Sequence, residues 1–141
     1  MNTVLLTPEQ VANLWPQLSQ PLQTALSHGQ DETPLIEYLR RALDYRAQIW
    51  VFTNDDQQIM GTGITQFIDY QTHKTLHIVA CAGIEWDSWA DQYYIVEEFA
   101  KKNGCKAVEQ WGRPGWAKLL PAKIPGFKTA YHVMRKEIEV S

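Results

Sequence analysis

The chain has 141 residues and a mass of 16.3 kDa, which predicts a single folded domain over residues 1–141. Its formal net charge of −3, with no run of Lys or Arg longer than two, argues against binding to nucleic acid or to an anionic membrane. The sequence has no signal-peptide pattern at its start and no stretch of eighteen apolar residues, so we expect neither secretion by a signal peptide nor a membrane span. The two cysteines are far apart and no metal-ligand spacing occurs, which predicts free thiols and no metal site.

The first third of the chain predicts a strand and two helices. A short β-prone run, Thr3–Leu6, leads into Thr7–Gln10, a capping pattern that begins a helix. Pro16 and Pro21 should interrupt this helix because proline removes a backbone hydrogen bond. A second helix is expected over 34–45, where apolar residues recur at spacings of three and four.

The middle of the chain predicts three consecutive antiparallel strands followed by a long helix. Asp87 or Ser88 is expected to cap this helix, which should end at Asn103. The three strands are Ile49–Phe52, Ile59–Ile68 and Leu76–Ala82.

The last third predicts a strand, a short helix and a final strand. These elements are Ala107–Trp111, Trp116–Leu120 and about Ala130–Val140. The complete order is β-α-α-β-β-β-α-β-α-β, and the final strand follows a Gly126-Phe127 pair. This order and ending resemble the Gcn5-related N-acetyltransferase (GNAT) fold over nearly the whole chain. The resemblance implies an α+β fold with a mixed, mostly antiparallel twisted sheet of about six strands flanked by helices.

The GNAT resemblance also implies a place for a cofactor. Acetyl-CoA would lie where the strand ending at Ala82 splays from the strand Ala107–Trp111, with its pyrophosphate on amides that open the following helix. The residues that would contact it are Ala82, Gly83, Ser88 and Trp89.

This loop departs from the glycine-rich pattern of the family. It has one glycine, with Trp86 among bulky neighbours and with carboxylates at Glu85, Asp87 and Asp91. Those charges should repel a pyrophosphate, and a capping Asp87 would occupy the amides that a phosphate needs. Leu120 stands where many family members carry a tyrosine that acts as a general acid. The sequence therefore predicts no coenzyme bound in the usual mode and assigns no catalytic residue.

Other chemistry-bearing residues have competing interpretations. His77 and Cys81 are four apart on one strand, so we expect them to share a face, where they would be either a nucleophilic pair or plain core residues. Glu109 would be a candidate base if it were buried, but the pattern does not determine which face of the sheet it occupies. The aromatic residues in the loops predict a contact with a protein partner or with a second copy of the chain. The alternative is that they pack within the protein. These candidate contacts are Trp86, Arg113 and Trp116.

Three functions remain for such a chain. The first is a degenerate GNAT-like protein, resembling short GNAT-like proteins of tailed bacteriophages, that acts as a virion or interaction component without a cofactor. Such a protein would lie in the host cytoplasm or in the virion. The first alternative is an acetyl-CoA-dependent N-acyltransferase with an atypical pyrophosphate loop. The second is a small-ligand or inhibitor-like binding module that uses the aromatic cleft.

Overall fold

A computed structural model describes residues 1–28, 33–111 and 114–139, without the side chains of residues 86 and 114–117. The strands are β1 (Asn2–Leu5), β2 (Ala47–Thr53), β3 (Ile59–Asp69), β4 (Lys74–Ala82) and β5 (Ala107–Gln110). The helices are α1 (Pro8–Leu26), α2 (Leu35–Leu43), α3 (Trp86–Lys102) and α4 (Pro114–Lys123). Apart from the last strand, each predicted element is found within a few residues of its expected place.

The strands form one sheet in the order β1-β2-β3-β4-β5. Neighbouring strands are antiparallel as far as β4, and β5 is parallel to β4 because the long helix α3 carries the chain back to the same end of the sheet. The predicted mixed, mostly antiparallel α+β fold is thereby confirmed.

Helices cover the sheet on both faces. Leu18, Leu22 and Ile64 belong to the core between the sheet and the α1–α2 layer. Trp89 and Leu120 belong to the core on the opposite face, beneath α3 and α4. Within the described ranges, no helix combines the length and the apolar character needed to cross a membrane.

Helix α1 begins as the sequence predicts but is not interrupted. The Thr7 hydroxyl accepts from the Gln10 amide at 3.2 Å, and the Gln10 side chain accepts from the Thr7 amide at 2.9 Å, which completes the capping box. The helix then continues through Pro16 and Pro21 to Leu26, so the predicted break is wrong. Three side chains of this helix are buried in the core, and their burial offsets the backbone hydrogen bonds that the prolines remove.

The predicted final strand is absent from the described part of the chain, where the sheet has five strands instead of about six. Residues 130–139 have no regular secondary structure and are exposed. Consecutive residues of a strand point to opposite faces, so a strand packed on the core would bury one of each pair. Val133 and Met134 are consecutive and are 77% and 94% exposed, so neither face of the segment is buried there. β5 is only four residues long and provides little edge for a strand of about eleven residues.

β4 contains a bulge. Ile78 pairs with Thr65 on β3 and Ala80 pairs with Ile64, which leaves Val79 without a partner on that strand. An extra residue of this kind shifts the alternation of side chains between the two faces.

Candidate functional site

The strands β4 and β5 separate at one end. Residues 75–78 of β4 pair with residues 107–110 of β5, and β5 then ends at Gln110. β4 continues to Ala82, so its last four residues have no described neighbour on that side. The resulting gap opens toward the start of α3, which is where the sequence predicted the strands to splay.

The turn from β4 into α3 depends on Gly83. Its φ of +78° lies in the left-handed region, and a Cβ there would meet the Met60 carbonyl oxygen at 2.8 Å. This glycine therefore lets the backbone pass close to β3, whatever its contribution to a ligand. Ala82, the residue before it, is the last of β4 and is half-buried.

Helix α3 begins two or three residues earlier than a cap at Asp87 or Ser88 would allow. Its N-cap is Glu85, in an extended conformation with φ −73° and ψ 152°, and the Glu85 side chain makes no capping hydrogen bond. The predicted side-chain cap is therefore wrong. The amide of Trp89 donates to the Glu85 carbonyl oxygen at 2.8 Å as the first helical bond, so the amides of residues 86–88 open the helix.

The acidic residues around this helix start point outward. Glu85, Asp87 and Asp91 are all exposed. Asp87 accepts a hydrogen bond from Lys123 of α4, with 2.6 Å between its Oδ1 and the lysine Nζ. One of the three predicted repulsive charges is thus paired with a cation beside the helix start.

Ser88 and Trp89 differ in what they present to the gap. Ser88 is half-buried in the first turn of α3. Trp89 is 5% exposed, and its indole N–H donates to the Cys81 sulfur at 3.1 Å. Its side chain is therefore part of the core beneath α3.

Gln110 is the last residue of β5 and lies where the two strands separate. Its partner in β4 is Ile78, whose side chain lies in the core under α3, so the Gln110 side chain is on the same face. Its Oε1 is buried and has no hydrogen-bond partner among the described residues. A buried acceptor without a partner costs about 1–3 kcal/mol, which a ligand amide would recover.

The opposite face of the same strand pair carries a polar and aromatic cluster. Glu109 pairs with His77 in the sheet and lies on the α1–α2 side. Its Oε2 accepts from the Tyr70 hydroxyl at 2.9 Å and from the Trp111 indole N–H at 3.0 Å. The Trp111 ring lies 4.2 Å from the His77 ring, centroid to centroid. Side chains from three segments of chain therefore meet at the end of β5.

The environment of Tyr70 keeps its hydroxyl protonated. Burial, followed by the hydrogen bond to Glu109, raises the pKa of Tyr70 well above its ordinary value. Tyr131 also lies within hydrogen-bonding reach of this hydroxyl. Tyr70 is therefore a donor to the Glu109 carboxylate at neutral pH.

A hydrogen-bonded chain from α2 fixes the tautomer of His77. Arg41 donates from Nη1 to the Gln66 Oε1 at 2.9 Å, so the Gln66 amide nitrogen faces the Nδ1 of His77, 3.4 Å away. Because that nitrogen can only donate, Nδ1 is the acceptor and the ring proton is on Nε2. Burial lowers the pKa of His77 to about 4, against a smaller opposing effect of the Glu109 charge. The ring is neutral at pH 7.

His77 and Cys81 do not form a pair. The bulge at Val79 reverses the alternation, so His77 is on the α1–α2 face while Cys81 packs beneath α3. Burial also raises the pKa of the Cys81 thiol to about 11, despite the hydrogen bond from Trp89. The predicted shared face is wrong, and the thiol is protonated and unreactive at neutral pH.

The remaining predicted site residues lie elsewhere. Leu120 is 6% exposed in the core under α3 and α4, where it supplies no acid. Arg113 lies outside the described residues, as do the side chains of Trp86 and Trp116, so the predicted partner contact stays a prediction. Among the described residues, no group of three His, Cys, Asp or Glu side chains is placed to hold a metal ion.

A pocket beneath α3 is too small for a ligand. A cavity of about 10 Å³ lies between the sheet and the helix, lined by residues that include Trp50, Cys81 and Trp89. That volume fits about one water molecule. A ligand on this side would therefore occupy the open gap between the strands.

Several residues of these two surfaces were not singled out from the sequence. Gln110 and Lys123 border the gap, while Tyr70, Gln66 and Arg41 support the cluster on the other face. Polar residues at a strand end are the only signal that marks Gln110. The others lie 25 to 39 positions from their partners in sequence, a separation at which no local pattern indicates contact.

No model of a known protein family matches this sequence, and no curated protein is significantly similar to it. Solved structures do resemble the fold. A probable acetyltransferase has 12% identity and a TM-score of 0.71, with 100% of this chain and 99% of that chain covered. An aminoglycoside acetyltransferase from an uncultured soil metagenomic sample, in complex with sisomicin, has 12% identity and a TM-score of 0.70, with 98% and 96% covered. A Trypanosoma brucei acetyltransferase has 14% identity and a TM-score of 0.62, with 97% and 99% covered.

These neighbours define the class of fold. Each of the three is an acetyltransferase or a probable one, and the match covers nearly the whole of each chain. The protein has a GNAT-like α+β fold, as the order of elements predicted.

Proposed function

We propose that the protein is an acyl-CoA-dependent N-acyltransferase with an atypical pyrophosphate loop. The observation that carries this proposal is the start of α3, which has no side-chain cap and lies where β4 separates from β5. Free amides and the helix dipole at such a position favour an anion. The acetyltransferase neighbours, which share the fold, support catalysis over the virion role.

The residues around the gap fit the coenzyme. The amides of residues 86–88 would receive its pyrophosphate. Gln110 would accept a hydrogen bond from an amide of the pantetheine arm through Oε1, which has no partner in the described part of the chain. The bound coenzyme would supply an activated acyl thioester.

The acidic loop opposes this binding less than its sequence predicts. Glu85 and Asp91 are exposed, so solvent screens their charges. Asp87 is paired with Lys123, whose ammonium group would also lie near a bound phosphate. The main objection from the sequence, a capping carboxylate on the helix amides, is removed by the observed cap geometry.

A role as an interaction or virion component remains the competing hypothesis. It rests on Trp86, Arg113 and Trp116, whose contacts lie outside the described part of the chain. Failure of the protein to bind coenzyme would favour it.

Calorimetric titration with CoA and with acetyl-CoA tests the proposal. We expect saturable binding of both, with a dissociation constant on the order of micromolar. Replacing the acidic residue at the helix start, Asp87→Asn, should tighten binding about fivefold because it removes a negative charge near the phosphates. The Lys123→Ala change should weaken binding by a similar factor.

A matched control for these variants is Asp44→Asn. Asp44 is also exposed and also ion-paired, with Arg46 at 2.8 Å, but it follows α2 instead of opening α3. Its replacement should leave coenzyme affinity unchanged. No saturable heat at millimolar coenzyme, or equal effects of the Asp87 and Asp44 changes, would contradict the proposal.

A further inference from the structure

The carboxylate of Glu109 has no described cationic partner. The ion pairs among the described residues involve Glu37, Asp44 and Asp87, and none of them includes Glu109. Its two hydrogen-bond donors, Tyr70 and Trp111, are neutral, and both bind the same oxygen, Oε2. Within the described chain, no donor reaches Oε1. A half-buried carboxylate in this state attracts a cation.

The neighbouring rings are neutral at pH 7 and do not supply that cation. Burial lowers the pKa of His77 to about 4, and burial with the Glu109 hydrogen bond keeps Tyr70 protonated. The nearby guanidinium of Arg41 is engaged by Glu37 and Gln66.

Trp111 provides an apolar surface beside the carboxylate. One face of the indole lies against His77, with 4.2 Å between ring centroids. The side chain is nevertheless 57% exposed, which leaves the rest of the indole open to solvent. An indole face attracts a cation and also packs against methylene groups.

This group lies at the end of β5, where the gap begins. Glu109 and Gln110 are consecutive in β5, so their side chains are on opposite faces of the sheet. The orphaned acceptor of Gln110 is on the α3 face, and the carboxylate of Glu109 is on the α1–α2 face. Two ligands that met at the end of β5 would approach from the two faces.

We propose that Glu109, Tyr70 and Trp111 form the acceptor subsite and that it takes an alkylammonium group, an inference that rests on the proposed acyl transfer. The ammonium group binds the carboxylate of Glu109, and its alkyl chain lies on the indole of Trp111. Free alkylamines and lysine side chains both carry this group.

The test is a titration of the free protein, followed by NMR at the indole N–H resonance of Trp111, which is assigned from its loss in Trp111→Phe. The probes are butylammonium, butanol, ammonium chloride and a lysine blocked at both ends. Butylammonium should shift the resonance saturably, and butanol should not. Ammonium chloride should bind at least about tenfold more weakly, because it lacks methylene groups worth about 0.8 kcal/mol each when buried. A comparable response to blocked lysine would indicate that a peptide side chain also fits, and no response to it would restrict the subsite to free amines.

The central variant is Glu109→Gln, whose amide oxygen still accepts from Tyr70 and Trp111. It should reduce butylammonium affinity by about tenfold or more, because a charge-assisted bond becomes a neutral one. The matched control is Glu97→Gln on α3, where the carboxylate also accepts from a tyrosine, Tyr93, at 3.0 Å. This control should bind butylammonium as the unsubstituted protein does.

Unchanged affinity in Glu109→Gln, or an equal response to butanol and butylammonium, would overturn the inference. If Glu109→Gln does not fold, the comparison with butanol on the unsubstituted protein decides alone. Because no coenzyme is present, the outcome is separate from that of the coenzyme titration. Coenzyme binding without amine binding refutes the subsite alone, and amine binding without coenzyme binding refutes acyl transfer.

Discussion

A buried neutral histidine makes the stability of this protein depend on pH. Burial lowers the pKa of His77 from 6.5 to about 4 in the folded chain. Between these values the unfolded chain binds a proton that the folded chain does not, so stability is complete above pH 6.5 and falls as the pH drops toward 4. The full difference corresponds to about 3 kcal/mol.

We expect His77→Gln to remove this part of the pH dependence. Urea unfolding of the variant and of the unsubstituted protein at several pH values between 4 and 7 measures it, as the difference between the two curves. His73→Gln, in the connection between β3 and β4, is the control and should keep the slope. Parallel curves for His77→Gln and the unsubstituted protein would show that His77 is not buried in its neutral form.

The residues of the two surfaces also show how far sequence reasoning reaches. Alternate residues of a regular strand lie on one face, so His77 and Cys81 would share a face if β4 were regular. The bulge at Val79 carries no sequence signal that we recognise, and it reverses the result. The pKa values of both groups depend on burial by distant elements, which only the structure shows.

At the scale of the element, the start of α1 is the feature most directly written in the sequence. Thr7 and Gln10 form both hydrogen bonds of the capping box. Replacing Thr7 with alanine should lower the free energy of unfolding by about 1 kcal/mol, because an amide of the first turn loses its acceptor. Denaturant unfolding monitored by circular dichroism measures the change.

Thr24→Ala serves as the control for the cap. Thr24 is an exposed residue of the same helix, and its hydroxyl donates to the Gln20 carbonyl oxygen at 3.1 Å instead of capping. Its replacement should change stability by less than about 0.5 kcal/mol. Equal losses for Thr7 and Thr24 would mean that the cap contributes nothing specific.

Helix ends were predicted unequally well. The cap of α1 uses a local side-chain signal, which the sequence contains. The start of α3 follows a different rule: Glu85 is its N-cap by backbone conformation, without a side-chain bond, although Asp87 and Ser88 are better capping residues. The positive φ of Gly83 and its close approach to Met60 fix where the chain turns into the helix, and that contact is not local.

At the scale of the whole molecule, residues 130–139 contribute no described strand to the sheet. Residues 130–139 are exposed and pair with no described strand. Deletion of residues 130–141 should therefore shift the midpoint of thermal unfolding by no more than about 4 °C, since little apolar area is lost. Scanning calorimetry of the two chains measures this.

The same deletion distinguishes the structure from the sequence prediction. A sixth strand over Ala130–Val140 would bury apolar side chains against β5, and its removal would lower the midpoint strongly or abolish cooperative unfolding. The element order and fold class followed from periodicity and turn residues, because each element has a local signal. Whether the last segment joins the sheet depends on the length of the edge that β5 presents, which periodicity does not encode.

The bulge in β4 also affects how this chain is aligned with its structural neighbours. Before Val79, even-numbered residues such as Leu76 and Ile78 face α3, and after it the odd-numbered Cys81 does so. An alignment with any protein whose corresponding strand is regular needs a one-residue gap at Val79. Without that alignment gap, every position from the bulge to Ala82 would be assigned to the wrong layer. Residues that face the opening between β4 and β5 would then be equated with residues of the α1–α2 core. At 12–16% identity, only the geometry of the strand shows where the alignment gap belongs.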